Sequence, residues 1–168
     1  RDYLASVEQG HVVAAYEGYN CIYAHAGRPE PYEVTAVNDE LLDAATHLDE
    51  FVGGDQDYEV QDLLLDEYPA VMGVGGVSGR GPGAGIAWLD FKHMPDDAPG
   101  QVVGHSRHDE LTRKGTVLCE NVIRNNLERV GGEAVTVETP DRLLGLTREK
   151  NGGVRETAFE LTPPSNED

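Results

Sequence analysis

Cys21-Ile22-Tyr23-Ala24-His25-Ala26-Gly27 and Gln101-Val102-Val103-Gly104-His105-Ser106 are the two stretches on which the fold reading turns. Each is a short apolar run of strand character that ends in a histidine flanked by small residues. Outward from the first, His11–Tyr16 and Tyr19–Ala24 read as a hairpin, with Gly18 and Asn20 as turn formers. A helix follows, with Asn38 as its cap, Asp39 and Glu40 in its first turn, and Gly53 as its stop. Its apolar stripe is Leu41, Ala45, Leu48 and Val52. A second helix is expected from Gln56 to Asp66, capped by Asp55 and ending before Pro69, with acidic residues on a solvated face. Upstream, Arg1 to Gln9 reads as the end of a helix with Tyr3, Leu4 and Val7 on one face.

Between the two histidine stretches the chain changes character. Residues 73–85 hold seven glycines in thirteen positions, which marks irregular backbone. Ile86–Phe91 returns to strand character around Trp88, and Pro95–Gly100 is a polar turn. Beyond His105, strands are expected over Thr116–Ile123, Glu133–Glu138, Arg142–Thr147 and, at an edge, Val154–Leu161, with Gly131-Gly132 and Pro140-Asp141 as punctuation. Early elements alternate and late ones are mostly strands. That order predicts an α/β or α+β sheet sandwich with a helical insertion, one domain over 1–161 and a frayed polar tail over 162–168.

Composition bounds the partners. The 168 residues carry 13 lysines and arginines against 31 aspartates and glutamates, a formal net charge of −18. Such a field repels a phosphate backbone and excludes non-specific nucleic-acid binding. The acid is dispersed rather than gathered in a tail, and only Lys92, Lys114 and Lys150 are lysines. This pattern resembles that of proteins from cells with molar internal salt, where surface repulsion is screened. No apolar run has the length of a membrane span and no export leader is visible, so a cytoplasmic protein is expected. Cys21 and Cys119 lie in apolar runs and read as buried free thiols in a reducing compartment.

In open α/β sheets, sites are built at the carboxyl ends of strands. His25 and His105 both stand there, each beside small residues that leave room for a ligand. A histidine so placed is either a hydrogen-bonded structural residue or a metal ligand. His108, His11, His47 and His93 have no such context, and His108 reads as a surface residue. Gly79-Arg80-Gly81-Pro82-Gly83-Ala84 meets a dinucleotide-loop pattern in form, but lacks the preceding strand and following helix.

Tyr23-Ala24-His25-Ala26-Gly27 and Val102-Val103-Gly104-His105-Ser106 resemble two late motifs of the calcineurin-like metallophosphoesterases, in the branch of serine/threonine protein phosphatases and diadenosine tetraphosphatases. The family has a strand ending in His-Ala-Gly or His-Gly-Gly, then a variable helical stretch, then a strand ending in Gly-His-Thr; Ser106 replaces that threonine here. The resemblance runs from about His11 to Thr147 and implies the later part of a β-sandwich flanked by helices. It implies two divalent metal ions of manganese, iron or zinc type, with His25 and His105 as ligands of one of them. It also implies a phosphate contact from Arg80, in Ser78-Gly79-Arg80-Gly81, with Arg107 close enough to assist or else to pair with Asp109 or Glu110. The substrate class would be a phosphomonoester or a nucleotide phosphoanhydride, carried by a small molecule or a phosphoprotein.

The family's earlier motifs, Asp-x-His, Gly-Asp-x-x-Asp and Gly-Asn-His, do not occur; Gly54-Asp55-Gln56-Asp57 is a partial echo in the wrong place. They would precede His11, and the first residue is Arg1 rather than methionine. Two expectations follow: this is the later part of a longer enzyme, inactive alone, or a diverged binding or regulatory module. An unrelated acidic domain with structural histidines is the third reading.

Overall fold

The computed structural model describes residues 2–51, 57–76, 78–122 and 133–160. The expected positions Gly53, Asp55 and Gln56, the Gly131-Gly132 turn and the tail from 162 onward lie outside the described residues. The chain begins with α1 (Asp2–Glu8), β1 (Ala15–Glu17) and β2 (Ile22–Ala24). Three helices follow: α2 (Val34–Phe51), α3 (Asp57–Glu67) and α4 (Pro69–Met72). A 3₁₀ turn, Phe91–His93, precedes β3 (Gln101–Val103), β4 (Thr112–Lys114) and β5 (Val117–Cys119). The last strands are β6 (Glu133–Thr139), β7 (Arg142–Arg148) and β8 (Val154–Phe159).

These strands form two sheets, a mixed one in the order β1-β2-β3-β5-β4 and an antiparallel one in the order β6-β7-β8. β2, β3 and β5 run parallel, and antiparallel β1 and β4 flank them. The arrangement is α+β, with the helices inserted after the first histidine stretch as expected. Alternation along the strands sorts the core into two layers. Val103, Val117 and Cys119 face Ala84, Leu89, Phe91 and Met94, while Ile22, Ala24 and Ala15 face Val37, Val71 and Ile86. On the other side Cys21, Val102 and Leu118 meet Leu143 of the second sheet, with Tyr23 and Phe159 beside them. Covered on both sides, β3 is buried at every residue, the polar Gln101 included.

Four details depart from the sequence reading. Ile86–Phe91 is not a strand: its backbone N–H groups bond to Ala70, Val71 and Gly85 carbonyls, so Ile86, Leu89 and Phe91 enter the core from turns. β4 is an additional strand, three residues long and too short to show a period. Tyr3 is exposed, because α1 rests on α2 through Leu4 and Val7 alone. Asn38 does not cap α2, which starts at Val34.

Asn38 instead closes the sheet edge. Its Oδ1 accepts bonds from the N–H groups of Ala14 and Ala15 at 2.9 and 3.0 Å, and its Nδ2 donates to the Ala15 carbonyl at 3.0 Å. One amide side chain thus stands in for a neighbouring strand and blocks the edge against other pairing. Asn38→Ala is expected to cost about 2 kcal/mol by leaving these groups unpaired; chemical denaturation of the two proteins measures it.

Candidate functional site

The two histidines converge. Because β2 and β3 are adjacent and parallel in the register Ala24↔Val103, the residues following them emerge side by side at one sheet edge. His25 Nε2 lies 3.0 Å from His105 Nδ1, and the rings meet edge to face. The Gly104 N–H donates to the His25 carbonyl at 2.8 Å and locks the two turns together.

The small residues around the pair serve packing more than ligand access. Gly27 has φ +79, and a Cβ there would fall 2.7 Å from both Gln101 Oε1 and Val103 Cγ1. Ala26 is buried in the core. Gln101, fully buried, accepts from the Arg28 N–H and the Tyr32 hydroxyl and donates to the Arg28 and Pro99 carbonyls. It therefore holds the turn after His25 from below, a role that its place in an apolar strand does not announce.

His105 sits at φ +21, in the left-handed half of backbone space that side chains rarely adopt. Its side chain is 9% exposed, and its Nε2 is buried without a hydrogen bond, 3.8 Å from Asp90 Oδ1. Ser106 braces this corner: its Oγ accepts the Phe91 N–H at 2.8 Å and lies 3.4 Å from Asp90 Oδ1. Trp88 stands edge-on to the His105 ring with centroids 6.3 Å apart. Burial above all, with the neighbouring His25 and Arg80 charges, lowers the His105 pKa below the ordinary histidine value, against the pull of Asp90. His105 is therefore neutral at pH 7, the form in which imidazole binds metal.

A cavity of about 560 Å³ opens on the pair, lined by Tyr23, His25, His105, Glu120, Asn121 and Thr136 among others. The Asn121 amide donates to the His105 carbonyl, and the Thr136 hydroxyl donates to the Glu120 carboxylate. Arg80 is exposed and does not line this cavity, although its charge bears on His105 and its carbonyl accepts the Asp90 N–H. Arg107 is exposed and also outside the lining. His108 is not a surface residue: its ring packs edge-on against Phe91 at 5.3 Å. Asp90, Glu120, Asn121 and Gln101 are the residues that sequence reading missed; each lies in a loop or strand with no motif around it.

Two imidazole nitrogens 3.0 Å apart suit a single ion bonded to both, since bonds of about 2.0–2.1 Å then subtend an angle of about 90–95°. No group of three or more histidine, cysteine, aspartate or glutamate side chains able to hold a metal occurs among the described residues. The pair thus fits part of an ion's coordination shell. Both thiols are free and buried; desolvation pushes Cys21 up to about 12 and raises Cys119, so both are protonated at neutral pH in the metal-free chain.

Families of known proteins, curated proteins and solved structures all give no match to this chain. Among the described residues no helix is long and apolar enough to cross a membrane.

A second carboxylate ties the sheets together. Glu138 on β6 accepts the Tyr19 and Asn20 N–H groups at 3.0 and 2.6 Å and the Cys21 thiol at 3.4 Å. Desolvation raises its pKa, but these donors and Tyr23 outweigh that and hold it below the ordinary carboxylate value. A depressed folded pKa means that the unfolded chain binds the proton first. The stabilisation is complete above the ordinary glutamate value near 4.5 and is lost as pH falls through the lower folded value. Glu138→Gln is expected to flatten the acid limb of a stability–pH curve, measured by urea denaturation between pH 3 and 7.

Proposed function

We propose that this chain supplies half of a two-metal phosphoesterase site, with His25 and His105 as ligands of one divalent ion and Arg80 as a phosphate contact. The observation that carries the reading is the 3.0 Å approach of two imidazole nitrogens at the ends of adjacent parallel strands. The helices between the histidine stretches and a second sheet packed against the first support that reading. Paired ions in such sites activate a hydroxide and clamp phosphate oxygens.

Within this chain, the two strands hold the imidazoles at fixed spacing, burial keeps His105 neutral, and the glycine-rich loop brings a positive charge toward the pair. A guanidinium presents a planar fork to two phosphate oxygens. Among the described residues no carboxylate joins the two histidines in a group able to hold a metal, so the chain by itself is expected to turn over an aryl phosphate no faster than His25→Ala. The lack of a third ligand among the described residues favours, as a second reading, a module that binds phosphate without hydrolysis.

The test is phosphate binding by the chain supplied with Mn²⁺ or Zn²⁺, followed by calorimetry. Arg80→Lys keeps the charge and loses the fork, so phosphate affinity should fall about ten-fold while metal affinity stays. Unchanged phosphate affinity would remove Arg80 from the site, and no metal-dependent phosphate binding at all would end the phosphoester reading. Metal-dependent turnover by the chain alone would show that its ligand set is more complete than the described residues display.

A further inference from the structure

We propose that the phosphoester taken by this site carries an alkylammonium group in its alcohol part, held in a tyrosine-lined cup beside the histidines. The proposal rests on the phosphoester reading above.

A second cavity, of about 530 Å³, lies where the β1–β2 hairpin meets β6. Tyr16, Tyr19 and Tyr23 line it together with Glu17, Glu138 and Thr136, and no lysine or arginine does. It shares Tyr23 and Thr136 with the cavity over His25 and His105, so the two adjoin at these side chains. Tyr23 lies on β2 and His25 two residues further on, in the turn after it, about 7 Å along the chain. That distance is short enough for one small molecule to span the adjoining cavities as a single groove.

Its two ends differ in character. Near His105 the Arg80 charge bears on the ring, and the imidazoles are the donors assigned to the metal in the reading above. At the other end, Tyr16 pairs with Tyr23 across the hairpin, their rings tilted at 52° with centroids 6.4 Å apart, like adjoining walls of a box. Tyr16 and Tyr19 are 65% and 70% exposed, so aromatic faces are open to a ligand. Glu138 is held as an anion by backbone N–H donors, and Glu17 adds a second negative charge. Aromatic faces backed by carboxylates attract a weakly hydrated organic cation and offer nothing to a second phosphate or a neutral alkyl group. A molecule that suits both ends is negative at its phosphate and positive at its alcohol, as in an amino-alcohol phosphoester.

The experiment compares phosphocholine with 3,3-dimethylbutyl phosphate, its neutral isostere, in the presence of Mn²⁺ for affinity and of diamagnetic Zn²⁺ for NMR. Phosphocholine should bind about ten-fold more tightly and should shift both the tyrosine and the His25 and His105 ring signals. Tyr19→Ala and Glu17→Gln, both at exposed positions, should bring phosphocholine down to the affinity of the isostere while the melting temperature stays unchanged. Equal binding of the two compounds while inorganic phosphate still shifts the histidine signals would overturn this proposal alone. If inorganic phosphate leaves those signals unmoved, the phosphoester reading falls and the substrate class with it, even where choline chloride still moves the tyrosines.

Discussion

Replacing His25 by alanine is expected to lower the affinity of the chain for Mn²⁺ or Zn²⁺ by more than about 100-fold, and His105→Ala should do the same. Loss of an outer-shell partner typically costs 10–100-fold in metal affinity, and loss of a direct ligand costs more. With only two nitrogens in place, removing either leaves one imidazole, which is no better than any surface histidine. The depressed pKa of His105 sharpens the prediction. Its nitrogen stays free of the competing proton at pH values where an ordinary histidine, near 6.5, is half charged. Equilibrium dialysis from pH 7.5 down to 5.5 should show binding weaken with acid, with His105 resisting protonation below the ordinary histidine value. His47→Ala is the control: His47 lies between Glu67 and Tyr68, away from the pair, and its loss should leave metal affinity intact. If the two histidines form only a hydrogen bond to each other, both alanine variants will change stability and leave metal affinity where it was.

The second large effect is the response to salt. A charge of −18 on 168 residues leaves carboxylates far in excess of the cations that could offset them, and self-repulsion opposes the compact state. Among the described residues the pairs that offset it include exposed ones, such as Arg148 with Glu133 and Arg155 with Glu149, and exposed pairs contribute little. Between 0.1 M and 1 M salt the Debye length shrinks from about 10 Å to about 3 Å, shorter than most separations between surface charges. A gain of about 3 kcal/mol from this screening raises the melting temperature of a chain this size by about 10 °C. Scanning calorimetry from 0.1 to 2 M KCl measures it directly. A melting temperature flat across that range would refute adaptation to a salt-rich interior.

The sequence alone determined the elements whose signal is local. The runs ending at His25 and His105 are strands because β-branched and aromatic residues fill a pleated, covered surface, and Val34–Phe51 is helical because its apolar residues recur at helical spacing. Small residues beside each histidine read as room for a ligand, whereas Gly27, with its positive φ, serves the turn and its packing. The pairing of the two histidines was legible only through their matching contexts: two parallel strands carrying the same kind of ending become one site when they lie side by side.

Tertiary structure decided everything that depends on long-range contact. Ile86–Phe91 has the composition of a strand, but its N–H groups find carbonyls on α4 before they find a sheet, and satisfied backbone groups outrank propensity. Asn38 has the chemistry of a cap, yet its amide reaches 23 residues back to close a sheet edge. Nothing in the local sequence singles out Gln101 or Asp90; the fold sets one beneath the His25 turn and the other against the buried nitrogen of His105. The tyrosine cup exists only because the β1–β2 hairpin and β6, more than 100 residues apart in sequence, are drawn together by Glu138. A one-dimensional pattern records which residues prefer to be buried and with what period; which polar group a buried donor meets is set only when distant segments pack.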